Sequence, residues 1–443
     1  MTEAVKRENE LSGLSLVLSA WHNPAARILN VDLLTVLIAI LLPWSTTGVV
    51  IAAALWVIAL APTLELDKFL RSLRRPVAVL PIAMFAVAMV GTLWSDAPWG
   101  ERLYAVSPTL KLLVLPLLFY HFERSPRGLW VFIAFVASCM LLMAASWLVA
   151  LDPNLSLKLY FSRGPFYPAN GILVKNYIDQ SQEFVLCAVA LVYPVMTLLR
   201  MKRIWLAALL AAIAAGFLLN MMFVVISRTA LVTMPILLAV FAVVHLRLRT
   251  AMLVLCAGAI FAALVWNVSP QLRATVWKFV ADYQQSQMLG NISGTYSRLE
   301  FWQKSLRFFA DAPVIGHGTG STRGLFEKAA AGQLGIHAEI TGNPHNQTLN
   351  AAVQWGVIGI GLLYAMWLAH LLLFRGEGLA AWIGLLVVVQ NVFTSLFNSH
   401  LFDFHEGWMY VLGVGVAGGM TLRARRDTRK PDHLPPQGKP SWG

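Results

Sequence analysis

Apolar residues occur along this chain in long blocks that short turns and charged strings separate. A block of about 20 apolar residues is long enough to cross a hydrocarbon core as a helix. The blocks show no alternation of apolar and polar residues, which a barrel strand would require. The pattern predicts twelve membrane spans with approximate limits 29–45, 47–65, 76–94, 108–122, 128–150, 177–199, 204–224, 229–246, 251–268, 348–374, 378–398 and 407–422.

Composition supports an all-α integral membrane protein. Hydrophobic residues make up 58% of the 443 positions and charged residues only 13%, about half the charge of a soluble domain. The three cysteines fall inside apolar blocks and form neither a disulfide framework nor a zinc spacing. The first residues, MTEAVKRENELSGL, lack the layout of a cleaved signal peptide. We therefore expect the first span to be permanent.

Lysine and arginine placement predicts the orientation of these spans. If the N-terminus is cytoplasmic, the cytoplasmic segments hold 21 of these cations and the short far-side loops hold five. This bias places both termini in the cytoplasm. The net charge of +12 could suggest nucleic acid, but a basic tail beside a span is typical of contact with anionic lipid. We expect membrane lipids and no nucleic acid as partners.

One far-side loop is long and patterned enough to fold. Ser269-Pro270 resembles a helix start, and apolar residues recur with helical spacing further along. We expect loop helices that lie on the membrane surface or cap a cavity, over residues 271–287, 296–310 and 321–332. The chain is predicted to divide into four regions. Residues 1–268 hold spans one to nine, 269–347 form the loop, 348–422 hold spans ten to twelve and 423–443 form a basic tail.

Three cations are candidates for binding an anion at the membrane edge. Arg228 lies in a short loop between two spans, Lys111 lies less than one turn inside a span, and Arg298 opens a loop helix. A guanidinium suits phosphate oxygens because it presents a rigid fork of donors. The alternative for Arg228 and Lys111 is snorkelling to headgroups, and for Arg298 a surface charge network.

His345 lies where the long loop enters the tenth span, and an imidazole there can accept a proton. The alternative is a histidine that bonds backbone at a helix start. Gly356 and Gly359, further along, would let another helix pack closely. His317 lies in a glycine-rich turn and is a candidate for an anion nest, with a plain turn as the alternative. His337 is a further loop candidate.

A rival metal site is the string HLFDFHE, which carries His400, Asp403, His405 and Glu406. These residue types bind zinc or manganese. Aromatic residues separate them and no outer partner is visible, so we expect no metal. We also expect no cofactor.

Several short motifs together carry a family resemblance. His345-Asn346, nine residues and a G-x-x-G string stand where the loop re-enters the membrane. Upstream come S-R-T-A at 227–230, S-R-L-E-F-W at 297–302 and P-V-I-G-H-G-T-G at 313–320. In order and topology the chain resembles the O-antigen ligase family of bacterial envelope enzymes, best over residues 220–360.

This resemblance implies a fold like that of GT-C glycosyltransferases in the bacterial inner membrane, with the active site facing the periplasm. It implies transfer of O-antigen from undecaprenyl diphosphate to the lipid A–core oligosaccharide, without a metal. The essential histidine of the family maps onto His345 and its two essential arginines onto Arg228 and Arg298. Candidates for substrate binding are Lys111, Asn346, His337, His317 and Arg163. Some relatives carry a carboxylate just before the first glycine of the motif, where this chain has Gln354 and Trp355.

Other functions fit the same sequence. The superfamily also contains O-antigen polymerases and protein O-oligosaccharyltransferases. A polytopic transporter or flippase is a further alternative because twelve spans with cytoplasmic termini are common among transporters. Against transport, the sequence shows no repeats.

Overall fold

The computed structural model describes residues 23–152, 171–174, 176–225, 227–270 and 294–428, together with residues 273, 274, 277 and 281. Over these residues the regular structure is helical, without strands. The α-helices are α1 (Pro24–Leu41), α2 (Thr46–Leu60), α3 (Leu66–Leu73), α4 (Pro76–Val90), α5 (Trp99–Val106), α6 (Val114–Phe122), α7 (Gly128–Leu151), α8 (Tyr177–Ala190), α9 (Val192–Arg200), α10 (Ile204–Phe223), α11 (Arg228–His245), α12 (Leu248–Val268), α13 (Gly294–Asp311), α14 (Ser321–Ala330), α15 (Gln347–Leu373), α16 (Leu379–Thr394) and α17 (Phe404–Thr428). Turns of 3₁₀ helix cover Ala61–Thr63, Ser107–Leu113 and Gly335–Ala338.

The protein is a polytopic helical membrane protein, although fewer helices qualify as spans than the sequence predicts. Each of the twelve predicted segments contains a helix, but seven helices among the described residues are long and apolar enough to cross a membrane. An eighth qualifies if α3 and α4, bent by 83° to each other, count as one span. The apolar helices Thr229–His245 and Leu379–Thr394 are shorter. The predicted count of twelve is therefore not reached among the described residues. Two of the predicted spans form helices shorter than a span, and α4 qualifies only together with α3.

Two of the predicted loop helices are confirmed as α13 and α14. The third, over 271–287, falls mostly outside the described residues. Phe301 and Phe308 of α13 pack with Phe326 of α14 and Val353 of α15 in a small apolar cluster. Burial of these aromatic rings attaches the loop helices to α15.

Polar side chains mark where several helices begin. Asn23 accepts a hydrogen bond from the Ala25 N–H at α1, and Ser45 caps α2 in the same way. Ser227 caps α11, and Asn346 accepts from the Leu349 N–H at the start of α15. Each cap satisfies an N–H that the first helical turn leaves without a partner.

Helix α17 packs closely against α6 through a face of small residues. A Cβ atom built at Gly415 would lie 2.5 Å from Leu118, and one at Gly418 would lie 2.3 Å from Phe119. Small residues at such an interface let membrane helices approach until side chain meets backbone, which strengthens van der Waals packing. This contact holds the middle of α17 against α6.

Helix α15 is broken at Gly356, whose backbone dihedrals are φ 60° and ψ −151°. This region is open almost only to glycine. The break frees backbone groups, and the segment 313–318 satisfies them. His317 and Gly318 donate to the carbonyls of Val353 and Gln354, both over 2.9 Å. The Val357 N–H donates to the Pro313 carbonyl over 2.8 Å.

Gly356 therefore receives a loop, and not the second helix that its spacing suggested. A Cβ atom at this position would lie 2.4 Å from the Val314 carbonyl oxygen. Thr319 continues the attachment, because its Oγ1 donates to the Ala88 carbonyl and accepts from the Trp355 indole, over 2.6 and 2.8 Å. The glycine-rich turn thus joins the end of α4 to α15.

Replacing Gly356 with alanine should destabilise the protein. The alanine must adopt a backbone conformation that costs about 1–3 kcal/mol, and its methyl group would displace the docked loop. We expect a lower thermal unfolding midpoint of the detergent-purified protein and less monodisperse material. Gly361→Ala is the matched control, because this α15 glycine has no neighbouring atom within 4 Å of the added Cβ. Equal midpoints for the two variants would contradict this account of the break.

Candidate functional site

A cavity of about 520 Å³ lies where the loop meets the helix bundle. Its wall comes from α5, the start of α14, the segment 341–345, the first turns of α15 and the loop before α17. Among the sequence-predicted site residues, His345 lines this cavity. The polar wall and the size of the space make it the candidate active site.

His345 directly precedes Asn346, the N-cap of α15, and has a positive φ of 53°, which is uncommon for a residue other than glycine. Its backbone N–H donates to Asn343 Oδ1 over 2.9 Å, which helps to hold this conformation. The imidazole Nδ1 lies 2.8 Å from Asn398 Oδ1. Phe301 stacks against the ring at a centroid distance of 6.2 Å. Within the described part of the chain, Nε2 has no hydrogen-bond partner.

The surroundings lower the pKa of His345 below its usual value of 6.5. Burial is the largest cause, because it disfavours the charged imidazolium. The hydrogen bond with Asn398 and the charge of Asp403 oppose this shift, whereas the charges of Arg298 and His400 add to it. The imidazole is therefore neutral near pH 7 and able to accept a proton.

A chain of amide and hydroxyl groups runs along one side of the cavity. Ser399 Oγ donates to Asn343 Oδ1 over 2.7 Å and accepts from Asn350 Nδ2 over 3.0 Å. Gln354 donates to the Asn350 side chain and accepts from the Gly320 N–H, over 2.5 and 2.9 Å. This neutral wall suits a ligand rich in hydroxyl groups.

The predicted arginines differ in how far the structure describes them. Arg298 in α13 is half-buried, and its charge acts on the pKa of His345, so the two groups lie within electrostatic range. Arg228 is the first residue of α11, but its side chain lies outside the described part of the structure. Arg163 also lies outside the described residues.

Lys111 is buried at the loop before α17. Its ammonium donates to the backbone carbonyl of Phe402 over 3.1 Å and to that of Asp403. These bonds occupy two of its three donors. Lys111 therefore holds the loop that presents Asp403 to the cavity, and it does not line the cavity itself.

The side chains of the other predicted binding residues contact other groups of the protein. The His317 ring nitrogen Nε2 lies 2.7 Å from the Phe308 carbonyl oxygen, inside the docked turn. His337 is exposed, with its Nδ1 2.9 Å from Glu300 Oε1. Asn346 caps α15 and also donates to the Leu396 carbonyl over 3.2 Å. None of these three lines the cavity.

The HLFDFHE string divides into two groups. Ligand atoms of His400, Asp403 and Glu406 lie within 4.8 Å of one another, close enough to hold a metal ion. His405 turns away and pairs with Asp179 of α8 over 2.7 Å. Burial lowers the pKa of His400, but Asp403 and Glu406 outweigh burial and raise it to about 9. A proton on His400 thus supplies a positive charge between these two carboxyl groups.

Sequence reasoning missed several residues of the cavity. Asn343, Asn398 and Asn350 carry no distinctive spacing, because their contacts join segments about fifty residues apart. Arg323 also lines the cavity, beside its partner Glu327 at 2.9 Å. Its place on a predicted loop helix was the one available signal for this cation.

Comparison with protein families identifies the middle part of the chain. Residues 213–364 match a family model described as O-Antigen ligase. The match runs from α10 into α15 and contains Arg228, Arg298 and His345. No curated protein sequence matches the chain. About a third of the chain, residues 213–364, is therefore a domain of the O-antigen ligase family, as its motifs predict.

Proposed function

We propose that this protein transfers O-antigen from undecaprenyl diphosphate to the lipid A–core oligosaccharide, by a metal-independent, inverting glycosyl transfer. The observation that carries the proposal is the neutral imidazole of His345, a residue of the family-matched region that lines a polar cavity. The placement of Arg298 within electrostatic range of His345 adds support.

In the proposed reaction, His345 Nε2 removes the proton from an acceptor hydroxyl. The resulting oxygen bonds to the anomeric carbon of the donor while the bond from that carbon to the diphosphate oxygen breaks. Undecaprenyl diphosphate leaves, and the anomeric centre is inverted. Arg228 and Arg298 stabilise the charge of the departing diphosphate, which preorganised cations do well in a site shielded from water. The acceptor proton remains on His345 until solvent removes it.

The surroundings of the cavity support a lipid-linked donor. Helix α5 and the 3₁₀ turn after it contribute to the cavity wall. In them, Leu103, Tyr104 and Leu110 are 58%, 80% and 51% exposed. An exposed apolar surface beside a polar cavity suits a substrate with a prenyl tail and a glycan head. The distribution of lysine and arginine supports a cavity that faces the periplasm, with both termini in the cytoplasm of a bacterium and the spans in its inner membrane.

Three alternatives differ in the product that they form or in forming none. A polymerase or a protein O-oligosaccharyltransferase would use the same donor chemistry. In cells that lack the protein, loss of long chains with a single repeat still on the core would indicate a polymerase, and polymer left on the carrier with a bare core would indicate a ligase. Transport by the purified protein in vesicles without a transfer product would indicate a transporter.

Replacing His345 with glutamine should reduce glycan transfer by roughly 10²–10⁴-fold, the usual contribution of a general base. Glutamine keeps polar atoms in the cavity but cannot accept the proton. The measurement is the lipopolysaccharide ladder formed from purified donor and acceptor, with the thermal unfolding midpoint as a control for folding. Normal ligation by a folded His345→Gln protein would show that the base is another group.

Replacing Arg298 with lysine should lower kcat/KM by roughly tenfold or more, because an ammonium cannot present the bidentate fork of a guanidinium to phosphate oxygens. Arg307→Lys is the matched control, since Arg307 is an exposed arginine on the same helix, α13. We expect wild-type kinetics for this control. If both variants behave alike, Arg298 does not recognise the diphosphate.

Removal of divalent metal should leave the transfer rate unchanged. We expect this because protonated His400 lies between Asp403 and Glu406, 3.3 and 3.5 Å from their carboxylates, where a metal would otherwise bind. The purified protein is assayed with and without EDTA. Loss of activity in EDTA, with recovery on adding manganese, would replace the proposal by a metal-dependent reaction.

A further inference from the structure

The amide of Asn398 lies between the imidazole of His345 and the carboxylate of Asp403. Its Oδ1 is 2.8 Å from His345 Nδ1, and it also accepts a hydrogen bond from Asn343 Nδ2 over 3.3 Å. Its Nδ2 donates to Asp403 Oδ2 over 2.7 Å. Asn398 lies in the loop between α16 and α17, whereas His345 precedes α15.

Two independent contacts determine which way this amide points. An ionised carboxylate only accepts hydrogen bonds, so the nitrogen of Asn398 must face Asp403. The same Asp403 oxygen lies 3.3 Å from His400 Nδ1.

The second contact comes from Asn343. Its Oδ1 accepts from the backbone N–H of His345 and from Ser399 Oγ, over 2.9 and 2.7 Å. Its Nδ2 must therefore be the atom that faces Asn398, where it requires an oxygen. Both contacts place Oδ1 of Asn398 against His345.

An amide oxygen accepts but does not donate, so the proton of a neutral His345 must lie on Nδ1. The lone pair then lies on Nε2, the ring nitrogen that has no partner in the described part of the chain. We propose that Asn398, oriented by Asp403, is a positioning residue that holds His345 in the Nδ1–H tautomer. The opposite tautomer would turn an N–H towards the reacting hydroxyl and could not remove its proton.

This inference rests on the proposed function only for its catalytic consequence. A neutral partner fixes the tautomer without adding a negative charge next to the ring, so the base is not protonated at neutral pH. A carboxylate at the same place would also accept from Nδ1–H but would raise the pKa of the imidazole. The other charged groups that act on His345 are Arg298, His400 and Asp403.

The first experiment measures the tautomer directly. Nitrogen NMR of protein with ¹⁵N-labelled histidine rings distinguishes a protonated from an unprotonated ring nitrogen, and His345→Gln identifies the His345 signals by difference. We expect protonated Nδ1 and unprotonated Nε2 in the wild type, and loss of this preference in Asn398→Ala. A wild-type ring protonated on Nε2 would overturn the inference.

The second experiment measures transfer by the purified full chain as a function of pH. Asn398→Ala should lower kcat by about 10- to 100-fold, part of what a general base contributes, with KM little changed. Asn267→Ala, at an exposed asparagine near the end of α12, is the matched control and should behave as wild type.

A double exchange, Asn398→Asp with Asp403→Asn, keeps the hydrogen bonds that link residues 345, 398 and 403, gives up the contact of Asp403 with His400 and moves the carboxylate next to His345. We expect it to recover much of the lost kcat and to move the acidic limb of the kcat profile to higher pH, because the base now has a higher pKa.

Wild-type kcat and an unchanged pH profile in a folded Asn398→Ala protein would overturn the inference. Absence of transfer by the wild type, with the expected tautomer in NMR, would instead refute the proposed function alone.

Discussion

A helix within lipid can interrupt its backbone hydrogen bonding only where other parts of the protein supply the missing partners. Helix α15 meets this condition at Gly356, where the segment 313–318 supplies two N–H donors and one carbonyl. The loop and the helix therefore depend on each other, because neither backbone is satisfied alone. This docking holds α14 and the segment before α15 in the positions from which they line the cavity.

The cavity built on this junction is polar but mostly uncharged near His345. Side-chain hydrogen bonds join Gln354 to Asn350, Asn350 to Ser399, and Ser399 to Asn343. Neutral partners place the imidazole without attracting a proton to it, and burial favours its uncharged form. Such a ring suits the general base of the proposed transfer, because it is unprotonated at neutral pH and can accept a proton.

Charge is concentrated a few residues away, where His400 lies between Asp403 and Glu406. Lys111 fastens the same loop through two backbone carbonyls. These contacts stabilise the segment that carries Asn398, so the charged groups of this region help to position that amide. His400 and Asp403 also act on the pKa of His345 through their charges. Lys111 thus supports the site from behind the cavity wall.

The sequence alone determined the class of the protein, the position of the apolar segments and the prominence of His345. The length of the apolar blocks and the charge pattern are local properties. An apolar block of this length without alternation forms a helix in lipid, because its backbone groups must be hydrogen-bonded within the segment. The sequence could not determine the role of Gly356, where spacing suggested contact with a helix, or the number of helices long enough to span. It also gave no signal for Asn343 and Asn398. Their function depends on contacts between segments about fifty residues apart, and only the folding of the loop onto α15 brings those segments together.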